Sequence, residues 1–280
     1  MSERLPYILF ASPPIGPIAL EALKAAHYPP IYVFDDPKIP AEEMLALIEL
    51  HKPTFLLVVG FGAILKRDIL DTVAGQVLNI HPSLLPLYRG PAPVVAALLD
   101  GVLETGVSLM QIDTKMDHGP ILAQEAIPLR GDEYPNELYE ILTRKGVHLF
   151  LEHIDAYLSE ESDILPQNHI ESTITHFVKK EDGRLNFTKD PAQLEREIRA
   201  YTGWPGSWIE FENQRLIVKK AHLQAGNLVF DEVQAAGGTS MPLQDFLRGR
   251  RMKENDFYAL LTPTDFDNRI LGKRVASAVC

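Results

Sequence analysis

The segment Phe55-Leu56-Leu57-Val58-Val59-Gly60-Phe61-Gly62 is a short, continuous apolar run that ends in glycine. A strand that is apolar on both faces is typical of a parallel sheet with helices packed on each side. Similar runs lie upstream at residues 7–10 and 31–34, and the segments between the runs, residues 18–26 and 41–51, have the apolar spacing of helices. This alternation predicts an α/β domain with a doubly wound, mostly parallel sheet.

The same alternation continues along the chain, where proline and glycine mark helix ends. The further signals predict, in order, a helix at residues 68–73, a strand leading to His81, a helix opened by Pro91 or Pro93 and closed by Gly101, strands at 107–112 and 121–129, and a long helix at 134–157.

Two polar residues interrupt the apolar pattern at the end of one predicted strand. Asn79 and His81 are two residues apart, so they point to one face of the strand while Leu78 and Ile80 point to the other. Asp117 follows 36 residues after His81, which leaves room for a helix and a returning strand. An amide and an imidazole beside a carboxylate from a second loop can stabilise an oxyanion and manage one proton.

Further motifs accompany this trio in a fixed order. They are Ser83 to Pro86, Arg89-Gly90, Glu104 to Val107, and Gly119-Pro120 after Asp117. With these motifs, residues 55–130 resemble the 10-formyltetrahydrofolate-dependent formyltransferases. The resemblance implies a Rossmann-like formyltransferase domain that moves a formyl group from folate to an amine.

The resemblance also implies a role for each member of the trio. Asn79 and protonated His81 would donate hydrogen bonds to the formyl oxygen as negative charge develops on it, each contributing about 3 kcal/mol. Asp117 would hold His81 in its charged form and, through a water, collect the proton that the amine loses. Neither a metal nor a covalent intermediate is expected.

The folate donor is expected to lie against two of the quoted segments. By resemblance, the pterin pocket is lined by Phe61, Gly62, Ile64 and Leu65 and completed by Ser83, Leu84, Leu85 and Pro86. Gly62 would allow the backbone to approach the ligand closely. Arg89 is expected to be exposed and to face the acceptor substrate or its phosphate.

Changes in composition and in the predicted secondary structure divide the chain into four parts. We predict a catalytic domain at residues 1–160, a linker at 161–175, a small β-rich, OB-like barrel at 176–251 and a tail of unassigned role at 252–280. Within the third part, Asp190 and Pro191 begin a helix, and strands at residues 208–211 and 216–218 form a hairpin.

The third part also indicates a branch of the family. Its segments Gln193 to Tyr201, Trp204-Pro205, Ser207-Trp208 and Met241 to Leu247 resemble the C-terminal domain of methionyl-tRNA formyltransferases. That branch would use methionyl-initiator tRNA as the formyl acceptor. Its members usually carry a basic loop after the second strand, but here residues 35–40 lead almost directly into a helix.

Because that loop is missing, a second class of acceptor substrate remains possible. The alternative is an N-formyltransferase acting on a small amine, such as a nucleotide-linked amino sugar. A folate-binding or RNA-binding protein without activity is the least favoured reading, because Asn79, His81 and Asp117 are all present.

The charge distribution bears on an RNA partner. The 280-residue chain has a net charge of −11, but residues 1–175 carry −13 whereas residues 176–251 carry +2. The C-terminal part therefore holds the local basic clusters that could meet RNA phosphates, and Lys219, Lys220, Arg250 and Arg251 are the candidate acceptor contacts.

The remaining composition indicates the compartment. The single cysteine, Cys280, permits no disulfide within the chain, which fits a reducing cytosol. Prolines interrupt the apolar stretch near the N-terminus, so it does not have the pattern of a signal peptide. We expect a cytoplasmic protein without an obligate protein partner.

Overall fold

A computed structural model describes residues 5–261, which form two units that divide after Phe177. The terminal Cys280 and the rest of the tail beyond residue 261 lie outside the described residues. Among the described residues, no helix is both long enough and apolar enough to cross a membrane.

The first unit is built on a six-stranded sheet with the strand order β2-β1-β3-β4-β5-β6. Strands β2, β1, β3 and β4 pair in parallel, and β5 and β6 are added antiparallel. The strands are β1 (Tyr7–Phe10), β2 (Tyr32–Phe34), β3 (Phe55–Val58), β4 (Val77–His81), β5 (Glu104–Gln111) and β6 (Ile121–Pro128). The helices are α1 (Gly16–Ala25), α2 (Ala41–His51), α3 (Arg67–Asp71), α4 (Pro93–Asp100) and α5 (Pro135–Leu158).

This arrangement confirms the mostly parallel α/β fold that the apolar runs predict. Every residue of β1 and of β3 is buried, as expected of strands covered on both faces. Gly101 ends α4 in the left-handed conformation that glycine adopts most readily. The connection between β2 and α2 comprises only residues 35–40, so the short spacing seen in the sequence is a short loop in the structure.

Helix α5 fixes the back of strand β4. A Cβ atom added to Gly146 of α5 would lie 2.2 Å from the Cγ2 atom of Ile80, so the helix backbone packs directly on the strand. Asn79 and His81 alternate with Ile80 and therefore face away from α5. Beside them in β5, Met110 is paired with Asn79 and Ser108 with His81. The rigid sheet thus presents the polar pair on the face opposite α5.

The second unit is β-rich, as predicted. Its antiparallel sheet has the strand order β10-β9-β8-β7, with β7 and β8 joined by the expected hairpin. The elements are α6 (Pro191–Ala200), β7 (Ser207–Phe211), β8 (Gln214–Gln224), β9 (Asn227–Ala235), β10 (Ser240–Pro242), α7 (Leu243–Gly249) and α8 (Glu254–Leu261). The side chain of Asp190 caps α6 by accepting a hydrogen bond of 2.8 Å from the backbone N–H of Ala192.

The unit boundaries differ from the domain limits proposed from sequence. Residues 161–175, expected to be a linker, belong to the first unit, where the backbone of Leu165 pairs with Ile121 and that of Thr175 with Arg89. Packing in the second unit continues past Arg251, because Phe257 of α8 is fully buried in its core. Both differences arise from contacts between residues far apart in sequence.

Candidate active site

The polar trio meets at the C-terminal end of β4. The Nδ2 atom of Asn79 lies 3.5 Å from the Oδ1 atom of Asp117, and the Nδ1 atom of His81 lies 3.8 Å from the same oxygen. Asn79 and His81 are 9% and 5% exposed, so their polar atoms are largely withdrawn from bulk water. Electrostatic interactions are stronger in such a setting than in water. The structure therefore brings together the three residues that the sequence selects.

The hydrogen bonding of His81 identifies which ring nitrogen faces the site. Its Nε2 atom lies 3.0 Å from the carbonyl oxygen of Tyr88. A carbonyl only accepts, so Nε2 carries a hydrogen, and Nδ1 is the atom turned towards Asn79 and Asp117. A hydrogen on Nδ1 as well would make the doubly protonated ring, which is the form that the family resemblance implies.

The loop between β5 and β6 holds the carboxylate of Asp117. Asp117 has a φ angle of +48°, a left-handed backbone conformation that residues other than glycine adopt at a cost of about 1–2 kcal/mol. Two residues on, Gly119 approaches the carbonyl of Gln111 so closely that a Cβ atom would lie 2.0 Å from that oxygen. The second carboxylate oxygen, Oδ2, accepts a 2.7 Å hydrogen bond from the backbone N–H of Gly90. One oxygen is therefore anchored, and Oδ1 faces the polar pair.

Arg89 does not have the exposure expected from its sequence context. Only 7% of its surface is exposed, and its Nε and Nη2 atoms donate to the Oε1 atom of Gln167 over 3.0 Å and 2.5 Å. Its Nη2 atom also lies 2.9 Å from the Nδ1 atom of His169. Desolvation lowers the pKa of Arg89, while Asp117 and Asp113 act in the opposite direction. The guanidinium thus makes its contacts inside the protein and is not exposed towards an acceptor substrate.

The expected folate-contacting residues differ in how they present themselves. The side chain of Phe61 lies in the core against Phe10, and Leu65 is also buried there, so neither side chain is presented to a ligand. Ile64 is 76% exposed, and Gly62 has a φ angle of +77° with open space beside it, since a Cβ atom would meet only Pro37 at 3.8 Å. The backbone at Gly62 can therefore be approached by a flat ligand.

Hydrogen bonds of two serine hydroxyls, one within the segment and one on β5, hold the second expected folate segment, Ser83 to Pro86. The hydroxyl of Ser83 donates to the carbonyl of Leu87 over 2.7 Å, and the backbone N–H of Leu85 donates to the Oγ atom of Ser108 over 3.0 Å. Leu85 is buried, whereas Leu84 and Pro86 are partly exposed. This segment offers an ordered surface next to His81.

Several residues around the site carry no obvious signal in the sequence. Gln167 and His169 come from the segment expected to be a linker, and the ring of His169 stacks on that of His118 with centroids 3.9 Å apart. The Nδ1 atom of His118 in turn lies 2.7 Å from the Oδ2 atom of Asp113. Residues 165–175 show neither helical nor strand periodicity, so only the folded structure reveals this neighbourhood.

The candidate acceptor residues of the second unit lie on β8 and after α7. Lys220 and the Arg250 and Arg251 pair are exposed, and Lys219 is partly exposed. Lys220 and Arg250 pair with Glu232 and Glu212 at 3.7 Å and 3.4 Å, respectively.

A second cationic site in this unit was not expected from the sequence. Two guanidinium groups lie over the ring of Trp208, that of Arg215 at 3.9 Å and that of Arg184 at 5.7 Å from its centroid. Arg184 is exposed and also pairs with Glu210 at 3.7 Å, whereas Arg215 and Trp208 are partly exposed. These contacts are cation–π interactions that order the side chains on the surface of the unit.

Comparison with protein-family models identifies the class. Residues 17–154 match the formyl transferase model, and residues 178–227 match the model of the formyl transferase C-terminal domain. The chain belongs to the formyl transferase family and is an enzyme of formyl-group transfer. Within this family, the relatives it resembles are methionyl-tRNA formyltransferases.

Two of these relatives show the extent of the similarity. The methionyl-tRNA formyltransferase of Roseiflexus castenholzii is 36% identical over 225 residues, which cover 72% of each chain. That of Chloroflexus aggregans is 35% identical over 244 residues, which cover 76% of this chain and 79% of the relative.

Solved structures share the fold at lower sequence identity. Methionyl-tRNA formyltransferase from Clostridium thermocellum matches 82% of this chain and 99% of its own, with a TM-score of 0.64 and 20% identity. An N-formyltransferase from Helicobacter canadensis, solved with folinic acid and dTDP-3-aminofucose, matches 79% of this chain and 88% of its own, with a TM-score of 0.60 and 20% identity.

Proposed function

We propose that this enzyme transfers the formyl group of 10-formyltetrahydrofolate to the free amino group of methionyl-initiator tRNA. The observation that carries the proposal is the convergence of the Asn79 Nδ2 and His81 Nδ1 atoms on the Oδ1 atom of Asp117. Two potential hydrogen-bond donors and one acceptor then surround the place where a formyl carbon could be attacked. Direct transfer of an acyl group needs these elements and no covalent enzyme intermediate.

The reaction proceeds by addition and elimination. The amine nitrogen attacks the formyl carbon, a new C–N bond forms, and the carbonyl electrons move onto oxygen. Asn79 and His81 donate to this oxyanion, and Asp117 accepts the proton lost by the amine, with a water bridging the gap. The C=O double bond then re-forms and the bond to N10 breaks. The proton held by Asp117 passes through the water to N10, so tetrahydrofolate leaves and the carboxylate is restored. The formylated amine is the product.

The donor is inferred from the open backbone that follows β3, the strand paired with β4. Gly62 leaves room for a flat ring, and Leu84 and Pro86 provide apolar surface next to His81. Family membership supports a formyl-tetrahydrofolate as the donor, and the Helicobacter canadensis neighbour is described with a folate derivative bound.

The acceptor is assigned from the relatives and from the second unit. The methionyl-tRNA formyltransferases of Roseiflexus castenholzii and Chloroflexus aggregans are 36% and 35% identical to the chain over more than two thirds of its length. The second unit matches the C-terminal domain model and carries exposed Lys220, Arg250 and Arg251 on an otherwise acidic protein. Such local cations give phosphate contacts that position an RNA.

A small amine is the second candidate acceptor, because of the loop between β2 and α2. This loop has six residues and includes Asp35 and Asp36, which would repel a phosphate backbone. An amino sugar on a nucleotide would not need the longer basic loop of the tRNA-specific branch to reach the trio. The Helicobacter canadensis neighbour is described with a ligand of this kind.

A direct comparison of acceptors tests the proposal. Formyl transfer from 10-formyltetrahydrofolate is measured with methionyl-initiator tRNA and with a panel of nucleotide-linked amino sugars, and kcat/KM is compared. We expect tRNA to be preferred by at least ~10²-fold. A preference for any amino sugar would replace the proposed acceptor, and no transfer to either class would overturn the proposed activity.

A further inference from the structure

The segment between residues 165 and 175 is a structural part of the catalytic unit. The backbone N–H of Arg89 donates to the carbonyl of Thr173 over 2.9 Å, and the N–H of Thr175 donates back to the carbonyl of Arg89 over 2.6 Å. At the other end, Leu165 and Ile121 exchange two backbone hydrogen bonds of 2.8 Å each. The segment is therefore fixed at both ends, and Gln167 lies between them.

Gln167 joins the Asp117 loop to Arg89. Its Nε2 atom donates to the carbonyl of Asp117 over 3.0 Å and to the carbonyl of Gly119 over 2.7 Å. Its Oε1 atom accepts from Nε and Nη2 of Arg89. Because guanidinium and carbonyl groups can only donate and accept, respectively, the orientation of the amide is determined. Both amide hydrogens are used, and the residue is only 6% exposed.

Gln167 supports the loop that carries the Asp117 carboxylate. Asp117 has left-handed backbone geometry, and its Oδ2 atom accepts from the backbone of Gly90, while Oδ1 faces Asn79 and His81 at 3.5 Å and 3.8 Å. Without Gln167, two carbonyls of the loop would lose their side-chain donor. A shift of about 1 Å in a reacting group can cost ~10²-fold in rate.

We propose that Gln167 is a positioning residue for the carboxylate of Asp117, and that Arg89 orients Gln167 for this task. The inference rests on the proposed function of Asp117 as the proton acceptor. It gives the buried guanidinium of Arg89 a place in the reaction, and it gives a function to the segment that follows α5.

A double-mutant cycle tests the proposal. In the full chain, formyl transfer is measured for Gln167→Ala, Asp117→Asn and the double variant. We expect Gln167→Ala to lower kcat by ~10- to 100-fold while KM for donor and acceptor changes less than ~3-fold. In the Asp117→Asn background the same substitution should change kcat less than ~3-fold, because a residue that acts through Asp117 has no effect once that carboxylate is gone.

Two further variants separate positioning from general loosening. Asn168→Ala removes the neighbouring side chain, which accepts a hydrogen bond from the backbone N–H of Ile170 in the same turn. Because this contact is local, the variant should leave kcat unchanged. Gln167→Glu keeps the acceptor for Arg89 but sets a carboxylate against two carbonyls, so it should lower kcat as Gln167→Ala does. It replaces Gln167→Ala in the cycle if that variant does not fold.

The outcomes distinguish this proposal from the proposed function. If Asp117→Asn keeps full turnover, the role of Asp117 as proton acceptor fails. If Asp117→Asn is impaired but the effect of Gln167→Ala is equally large in both backgrounds, Gln167 acts independently and the positioning role is overturned. Unchanged kcat in Gln167→Ala alone would overturn it as well.

Discussion

The Nδ1 atom of His81 lies 3.8 Å from the Oδ1 atom of Asp117, although 35 residues separate them in the chain. This distance is too long for a direct hydrogen bond, but the two groups are close enough to interact electrostatically and to share a water. Strand β4 holds one partner and the β5–β6 loop holds the other. The fold therefore determines the relative position of the two groups.

The oxyanion role predicts large losses from truncating either donor. We expect Asn79→Ala and His81→Ala each to lower kcat by ~10²-fold or more, because each removes a hydrogen bond to charge that develops in the transition state. Steady-state kinetics with circular dichroism as a folding check measures this. His148→Ala is the matched control, since that imidazole is exposed on α5 and its ion pair within residues 5–261 is with Glu152. A folded Asn79 or His81 variant with near-normal turnover would refute the oxyanion assignment.

The proton-acceptor role of Asp117 predicts a loss in rate rather than in folate binding. In Asp117→Asn the amide oxygen can still accept from Gly90, so the loop should stay in place while the base is lost. We expect kcat to fall by ~10²-fold or more and the Kd for a folate analogue to change less than ~3-fold. Stopped-flow transfer and fluorescence titration measure the two quantities. Strong loss of folate affinity would instead make Asp117 a binding residue.

The contact behind the catalytic strand predicts a stability effect. Gly146→Ala places a methyl group 2.2 Å from Ile80 and 2.9 Å from Val107, so we expect a loss of about 1–3 kcal/mol in the free energy of unfolding from overpacking. Gly249→Ala is the control, because that helical glycine has open space around it and alanine favours helices by up to ~1 kcal/mol. Urea denaturation compares them, and equal stability of both variants would show that α5 does not press on β4 as described.

His169 predicts a pH-dependent contribution to stability. Desolvation lowers its pKa below the ordinary value of 6.5, and the charges of His118 and Arg89 lower it further. The unfolded chain therefore binds the proton more readily, and stability is lost as the pH falls from above 6.5 through the folded pKa. His169→Asn retains an acceptor for Arg89 but does not titrate. The unfolding midpoint of this variant, measured relative to that of the parent protein, should therefore increase as the pH is lowered from 7.5 to 5. An unchanged difference across this range would contradict the shift.

The proposed RNA contacts predict a salt-sensitive change in the acceptor alone. Replacing Lys219, Lys220, Arg250 and Arg251 together by glutamine should raise KM for methionyl-tRNA and flatten its dependence on salt, because fewer counterions are released on binding. KM for 10-formyltetrahydrofolate should stay constant and serves as the internal control. Unaltered tRNA kinetics across a salt series would favour the small-amine acceptor.

The regular part of this structure follows from local patterns. Continuous apolar runs predict the buried strands, and the period of two predicts that Asn79 and His81 share a face. The role of Arg89 could not be predicted, because it depends on Gln167, which lies 78 residues away in a segment without periodicity. The left-handed backbone of Asp117 could not be predicted either, because aspartate permits this conformation without requiring it. Local patterns thus select the proposed reacting groups, and long-range contacts determine what supports them.

Single-turnover formyl transfer to methionyl-initiator tRNA tests the proposed reaction most directly. With enzyme in excess and labelled 10-formyltetrahydrofolate, the wild-type protein should place the label on the methionyl amino group, and the product is identified by mass spectrometry of the released N-formylmethionine. His81→Ala and Asp117→Asn should each slow this step by ~10²-fold or more under the same conditions. Label that never reaches the tRNA, or that reaches it as fast in either variant as in the wild-type protein, would contradict the proposed reaction.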